Sequence, residues 1–126
     1  MSKDKIIQLI DAAVDSDPLT EDALALRFSE RHAGDLRYIA LRKQWFQWDG
    51  WRWCPEPTLR AFDLARQNCR EAAQEYVLGP APSRVYTAKT VAAVEQMARA
   101  DRRQATALEQ VDANDFDFNT MGKETR

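Results

Sequence analysis

The stretch Trp45-Phe46-Gln47-Trp48-Asp49-Gly50-Trp51-Arg52-Trp53 holds all four tryptophans of the chain, disposed around one Asp-Gly pair. Asp-Gly between alternating apolar residues signals a β-hairpin with a two-residue turn, because both turn positions need positive φ and Gly50 adopts it at little cost. That turn sets an expected pairing of Trp48 with Trp51, Gln47 with Arg52, and Phe46 with Trp53. Side chains alternate along a strand, so Phe46, Trp48, Trp51 and Trp53 then share one face. Such a plate either packs beneath helices, each ring burying about 150–250 Å², or stacks on flat partners such as unpaired bases. A three-stranded meander is stable only when one face is covered. Amphipathic helices elsewhere in the chain can supply that cover, so the four rings are expected to form the structural aromatic core.

Working outward, Leu36, Tyr38 and Ala40 alternate with Arg37 and Ile39, which predicts a first strand before the hairpin. The second face of this meander, with Trp45, Gln47, Arg52 and Cys54, is mixed and expected to be part exposed. Upstream, Thr20 opens a helix with Glu21 and Asp22 in its first turn, where the helix dipole favours negative charge. Leu24, Leu26 and Phe28 give this helix an apolar side, and Gly34 supplies a stop. Ile6, Ile7, Leu9, Ile10, Ala13 and Val14 form an earlier helical stripe, broken by Asp15-Ser16-Asp17-Pro18.

Downstream, Pro55 and Pro57 end the sheet. Thr58 is a natural cap for a helix over about residues 59–76, with Leu59, Phe62, Ala65, Cys69, Ala72 or Ala73, and Tyr76 inward. A Gly79-Pro80-Ala81-Pro82-Ser83 loop follows. Another helix is expected from Thr87 or Ala88 to about Ala105, burying Val91, Val94, Met97 and Ala98. Leu108 and Val111 fit either a helical extension or a short strand. Residues 112–120 read as a loop feeding an edge strand. The fold class is α+β, mainly helical, with a small three-stranded antiparallel meander containing the tryptophan hairpin. The expected organisation is an N-terminal helix and linker over 1–18, the α+β domain over 19–118, and a frayed tail over 119–126.

The chain has 126 residues, 18 basic and 20 acidic, for a net charge of −2. That length suits one domain. The balance lacks the overall basicity of a nucleic-acid binder, although a local patch can outweigh a total. Cys54 and Cys69 have no metal-type spacing and read as free thiols of a reducing compartment. No signal-peptide pattern and no run of about 20 apolar residues is present. A cytoplasmic protein without membrane contact is expected.

Catalytic groupings are missing from the pattern. His32 is the single histidine, with no cysteine or carboxylate at triad or ligand spacing. No serine lies in a Gly-x-Ser-x-Gly elbow. Gly122-Lys123-Glu124-Thr125 fails as a phosphate loop, since Asp117 replaces the first glycine and Glu124 occupies the position that should hold Mg²⁺. Asp112, Asp115 and Asp117 lack the glycine and distal glutamate of a calcium loop. No catalytic residue, metal, cofactor or small-molecule ligand is therefore expected. Positive charge offers one surface feature. Arg37, Arg42, Lys43 and Arg52 lie on or beside the hairpin, and Arg99, Arg102 and Arg103 end the late helix. Folded together, they would track a phosphate backbone. Alternatively they pair with Glu30, Asp35, Asp49, Glu95 and Asp101.

The order of segments carries a further signal. Leu19–Ala40 leads into Trp45–Trp53, then Thr58–Ala73, Thr90–Arg103 and Asp112–Gly122, the last containing Asn119-Thr120-Met121-Gly122. This series resembles the N-terminal, helicase-associated domain of phage and plasmid DNA primase–helicases, a group related to poxvirus-type superfamily 3 nucleoside triphosphatases. The resemblance covers about residues 19–122. It implies an α+β accessory domain placed before an ATPase motor, helping to engage DNA or organise the ring. The chain departs from the family at Met121, where proline is usual, and at Lys123, where a second glycine is common. It also lacks the Walker motifs. The resemblance thus implies a non-catalytic accessory domain acting in DNA replication, expected to be a prophage product truncated before the ATPase domain. Single-stranded or forked DNA and a helicase ATPase domain are the implied partners. The alternative is a stand-alone protein-interaction module with no nucleic-acid binding.

Overall fold

Helices seal one face of a short sheet in the computed structural model, which describes residues 3–6 and 17–113. Residues 3–6 are helical. The rest of the expected N-terminal helix, most of the 112–120 segment expected as a loop feeding an edge strand, and the tail lie outside the described residues. The elements in order are α1 (Glu21–Arg31), β1 (Leu36–Ile39), a 3₁₀ turn (Ala40–Arg42), β2 (Gln44–Trp48), β3 (Trp53–Pro55), α2 (Arg60–Glu75), a 3₁₀ turn (Ser83–Tyr86), α3 (Ala88–Ala100) and α4 (Leu108–Ala113). The architecture is α+β and mainly helical, with β1, β2 and β3 forming an antiparallel meander in that order.

Local chemistry explains the helix ends. Thr20 Oγ1 accepts from the Ala23 amide at 3.0 Å and starts α1, and Thr87 Oγ1 accepts from Thr90 N at 3.2 Å at the start of α3. Each satisfies an amide that the first helical turn leaves without a partner. Helix α2 is started differently from expectation. Thr58 is not its cap; the Glu56 carboxylate accepts from Thr58 N at 3.0 Å and Arg60 N at 2.9 Å. Leu59 sits in the left-handed region at φ 63° with its side chain outward, so it leaves the expected stripe. Ala61, Ala65, Cys69, Ala72 and Ala73 supply the buried face of α2. These small side chains let α1 and α3 approach closely.

Helix α3 ends at Ala100, five residues before the expected position. Asp101 is extended at ψ 137°, and its carbonyl accepts from Gln104 N at 2.9 Å and Ala105 N at 2.7 Å. The chain then runs alongside β1: Tyr38 N donates to Gln104 O at 2.7 Å and Thr106 N to Tyr38 O at 2.9 Å, forming a parallel bridge. This covers the outer edge of β1, which would otherwise expose unpaired backbone groups. Two buried amides fasten the helical layer: Asn68 Nδ2 donates to Leu24 O, and Gln104 Nε2 to Ser29 O, both at 2.9 Å.

The hairpin departs from the expected register. Trp48 faces Trp53, Gln47 faces Cys54 and Phe46 faces Pro55. Four residues, 49–52, form the connection instead of two. Asp49 Oδ1 accepts from Trp51 N at 2.8 Å and Arg52 N at 2.7 Å, while Asp49 N donates to Arg52 O at 3.1 Å. An aspartate side chain that captures amides two and three residues onward builds a wider loop than the plain Asp-Gly turn. Gly50 still takes positive φ, at 95°. The shift of two residues keeps Trp48 and Trp53 on one face but removes Trp51 from the sheet.

The helices also choose the other face. Leu36, Tyr38 and Trp45 join the main core with Leu24, Phe28, Ala65, Cys69, Val91, Val94 and Ala98. Phe28 and Tyr38 meet the Trp45 ring edge-on at 6.2 and 5.1 Å. Ile39, Phe46 and Trp53 point to the opposite side, where Val111 and Leu108 of α4 cover them. The proposed four-ring core is therefore corrected. Phe46 and Trp53 are buried, in the smaller cluster, but Trp48 is 37 % exposed and Trp51 79 % exposed. Trp45, expected on the part-exposed face, is among the buried residues.

Candidate nucleic-acid interface

Several of the candidate cations are engaged within the fold, Arg102 among them, donating from Nε and Nη2 to Ala100 O at 3.1 and 2.7 Å. Arg99 grips Glu95 with two nitrogens, Nη2 reaching Oε1 at 2.7 Å and Nε reaching Oε2. The same Oε2 accepts from the Trp45 indole Nε1 at 3.0 Å. This ties the end of α3 to the sheet, and hydrogen bonding to Glu95 raises the Arg99 pKa further. The Arg99 guanidinium also lies 5.2 Å from the Tyr38 ring centre. Arg103 makes a two-pronged contact with Asp101, both bonds at 2.9 Å. Those bonds hold the Asp101 carboxyl at about 2, below its ordinary 3.8, against an opposing push from burial. Arg37 donates from Nη1 to Leu36 O at 2.8 Å and Ala33 O at 2.5 Å, and its guanidinium sits 4.7 Å from the Trp53 ring. Burial lowers its pKa, with the Asp35 charge acting against the shift.

Arg42, Lys43, Arg52 and Arg102 have exposed side chains. The meander divides them between its two ends. Arg42 and Lys43 lie on the β1–β2 connection, whereas Arg52 lies on the β2–β3 loop at the far end of β2. Arg102 and Arg99 join the first group through shared grooves. A groove of about 600 Å³ is lined by Tyr38, Lys43, Trp45, Glu56, Phe62, Glu95 and Arg99. A second, of about 280 Å³, is lined by Tyr38, Ala40, Arg99, Arg102 and Thr106 among others. Tyr38 and Arg99 are thus walls of both. Sequence order gave no hint of this meeting, but the Glu95–Arg99 spacing of four residues on one helix did signal their pairing.

At the opposite end, the loop carries Trp51 and Arg52 outward beside Trp48, which meets Trp53 edge-on at 5.3 Å. Asp49 is fully exposed there, and the Arg52 and Trp51 amides lower its pKa. The Cys54 thiol donates to Asp49 Oδ2 at 3.4 Å, and burial pushes its pKa up. The remaining thiol, Cys69, is buried and raised for the same reason. His32 packs against Phe28 at 4.8 Å with Nδ1 3.1 Å from Asp35 Oδ1, completing the end of α1. Among the described residues, no cluster of His, Cys, Asp or Glu could hold a metal, and no helix is long and apolar enough to cross a membrane.

The described residues thus form a small helical layer over a meander, with exposed cations at both ends of β2. The model of the family described as D5 N terminal like matches residues 25–121, and the chain belongs to that family. The family is the N-terminal domain of phage and plasmid primase–helicase proteins, which serve replication; it is an accessory domain and not the catalytic ATPase. No curated protein and no solved structure matches the chain.

Proposed function

We propose that this chain is a non-catalytic accessory domain that contacts DNA beside a helicase-type ATPase motor, using the basic edge built from Arg42, Lys43, Arg99 and Arg102. The observation that carries this reading is the convergence of Lys43 from the β1–β2 turn, Arg99 from α3 and Arg102 just beyond it on grooves walled by Tyr38, in a chain of the primase–helicase family. Glu56 and Glu95 line the same edge, so its attraction for phosphate is moderate and reversible. A titration of labelled forked DNA at several salt concentrations tests the reading. Wild type should bind at low salt, and Lys43→Ala with Arg102→Ala should lower the slope of log affinity against log salt by about 1.4 to 1.8, near 0.7–0.9 per lost phosphate contact. Absence of binding at low salt, or affinity independent of salt, would overturn it.

A second reading, docking to the motor domain, is favoured by a different observation. Val77, Leu78 and Tyr86 on the α2–α3 connection are 89, 65 and 55 % exposed. Co-sedimentation with a separately produced helicase domain, compared with a Val77→Ser, Leu78→Ser variant, tests this contact.

A further inference from the structure

We infer that the loop 49–52 is a stacking platform for unpaired nucleic-acid bases, with Trp51 as its principal ring and Arg52 as its phosphate contact. The inference rests on the DNA-contacting function proposed above and assigns a second site, at the end of the hairpin remote from the basic edge. Its first support is the combination of exposure with order. Trp51 is 79 % exposed, yet its amide is held at 2.8 Å by Asp49 Oδ1, and the neighbouring Arg52 amide at 2.7 Å by the same atom. The loop is closed again by Asp49 N donating to Arg52 O at 3.1 Å. An indole presented on a fixed backbone loses little conformational freedom when a flat partner covers it. Trp48 is 37 % exposed and steadied edge-on by Trp53, so a second aromatic surface lies beside the first strand of the loop.

Charge favours a nucleic-acid strand as the occupant. Arg52 is exposed next to Trp51, and the Arg37 guanidinium backs the Trp53 ring at 4.7 Å. The one acidic group of the loop, Asp49, directs Oδ1 into two backbone amides and Oδ2 toward the Cys54 thiol. Aromatic rings beside guanidinium groups bind strands whose bases are free to stack, whatever their sequence. A duplex keeps its bases stacked on each other, so it can use the basic edge but not this loop.

Fluorescence anisotropy with labelled oligo-dT, oligo-U and a blunt duplex tests the assignment, using wild type, Trp51→Ala and Trp51→Phe. Trp51→Ala should weaken oligo-dT or oligo-U binding roughly tenfold, the loss of one base stack, and leave duplex binding unchanged. Trp51→Phe should restore most of the loss, and comparison of the two oligonucleotides tells DNA from RNA as the source of the strand. Unchanged single-strand binding by Trp51→Ala would overturn the stacking platform while leaving the basic edge standing. Equal losses on duplex and single strand would also overturn it. Failure of wild type to bind any of the three would remove both readings. If Trp51→Ala abolished docking of a helicase domain and left oligonucleotide titrations untouched, the loop would be a protein contact instead.

Discussion

Trp45 and Trp48 stand three residues apart on one strand and share almost nothing else. Trp45 points into the helical layer, touches Phe28 and Tyr38, and donates its indole N–H to Glu95, which also holds Arg99. Trp48 points the other way and lies at the open end of a smaller cluster, where α4 covers Ile39, Phe46 and Trp53 but not the hairpin tip. An odd separation along a strand sends two side chains to opposite faces. What differs afterwards is the cover: three helices on one side and a six-residue helix on the other. The division teaches that one aromatic hairpin can both anchor a fold and leave rings at its surface.

The sharpest way to break this contrast is truncation of each ring. Trp45→Ala should destabilise the protein by about 3–5 kcal/mol, the usual loss for a buried aromatic, as read from urea denaturation. Trp51→Ala should stay within about 0.5 kcal/mol of wild type. Comparable losses at the two positions would erase the distinction. Glu95→Ala comes next, at about 2 kcal/mol, because it leaves the buried Trp45 N–H without its acceptor. The same change removes a carboxylate from the basic edge and should tighten DNA binding, so stability and affinity should move in opposite directions.

Smaller effects refine the picture at the hairpin tip and behind α3. An added Cβ at Gly50 meets no atom within 4 Å, but φ of 95° remains costly for any L side chain. Gly50→Ala should therefore cost about 1 kcal/mol through backbone strain alone. The Asp101 carboxyl is depressed from 3.8 to about 2. At pH values between these, the unfolded chain binds the proton more readily, so stability rises with pH across that window. The contribution of Asp101 should be complete above about pH 4 and fade as pH falls toward 2. Asp101→Asn should flatten that part of an acid-denaturation profile.

Much of the architecture was legible because it rests on local rules. Thr20 and Thr87 start the helices that their side chains cap, and the Leu24–Phe28 and Val91–Val94–Ala98 spacings mark faces that are buried. The hairpin itself was legible from its turn residues and alternation. Its register was not, because Asp49 can either occupy a tight turn or capture two amides with its side chain, and both suit the same residues. Nor was the choice of sheet face. Alternation pointed to the Phe46 face because that face gathered more rings, whereas long-range packing with α1 and α3 selected the Trp45 face. Asp101 offered a similar ambiguity between continuing α3 and turning the chain onto β1. Of the candidate interface, the Glu95–Arg99 and Asp101–Arg103 pairings were readable from short spacings. The meeting of Lys43, Arg99 and Arg102 around Tyr38 required the tertiary fold.

Collisional quenching of tryptophan fluorescence by acrylamide, in wild type, Trp45→Phe and Trp51→Phe, tests the division of the rings most directly. The account predicts that Trp51→Phe removes most of the readily quenched emission, while Trp45→Phe removes only emission that acrylamide scarcely reaches. Quenching left unaltered by Trp51→Phe, or strongly reduced by Trp45→Phe, would contradict it.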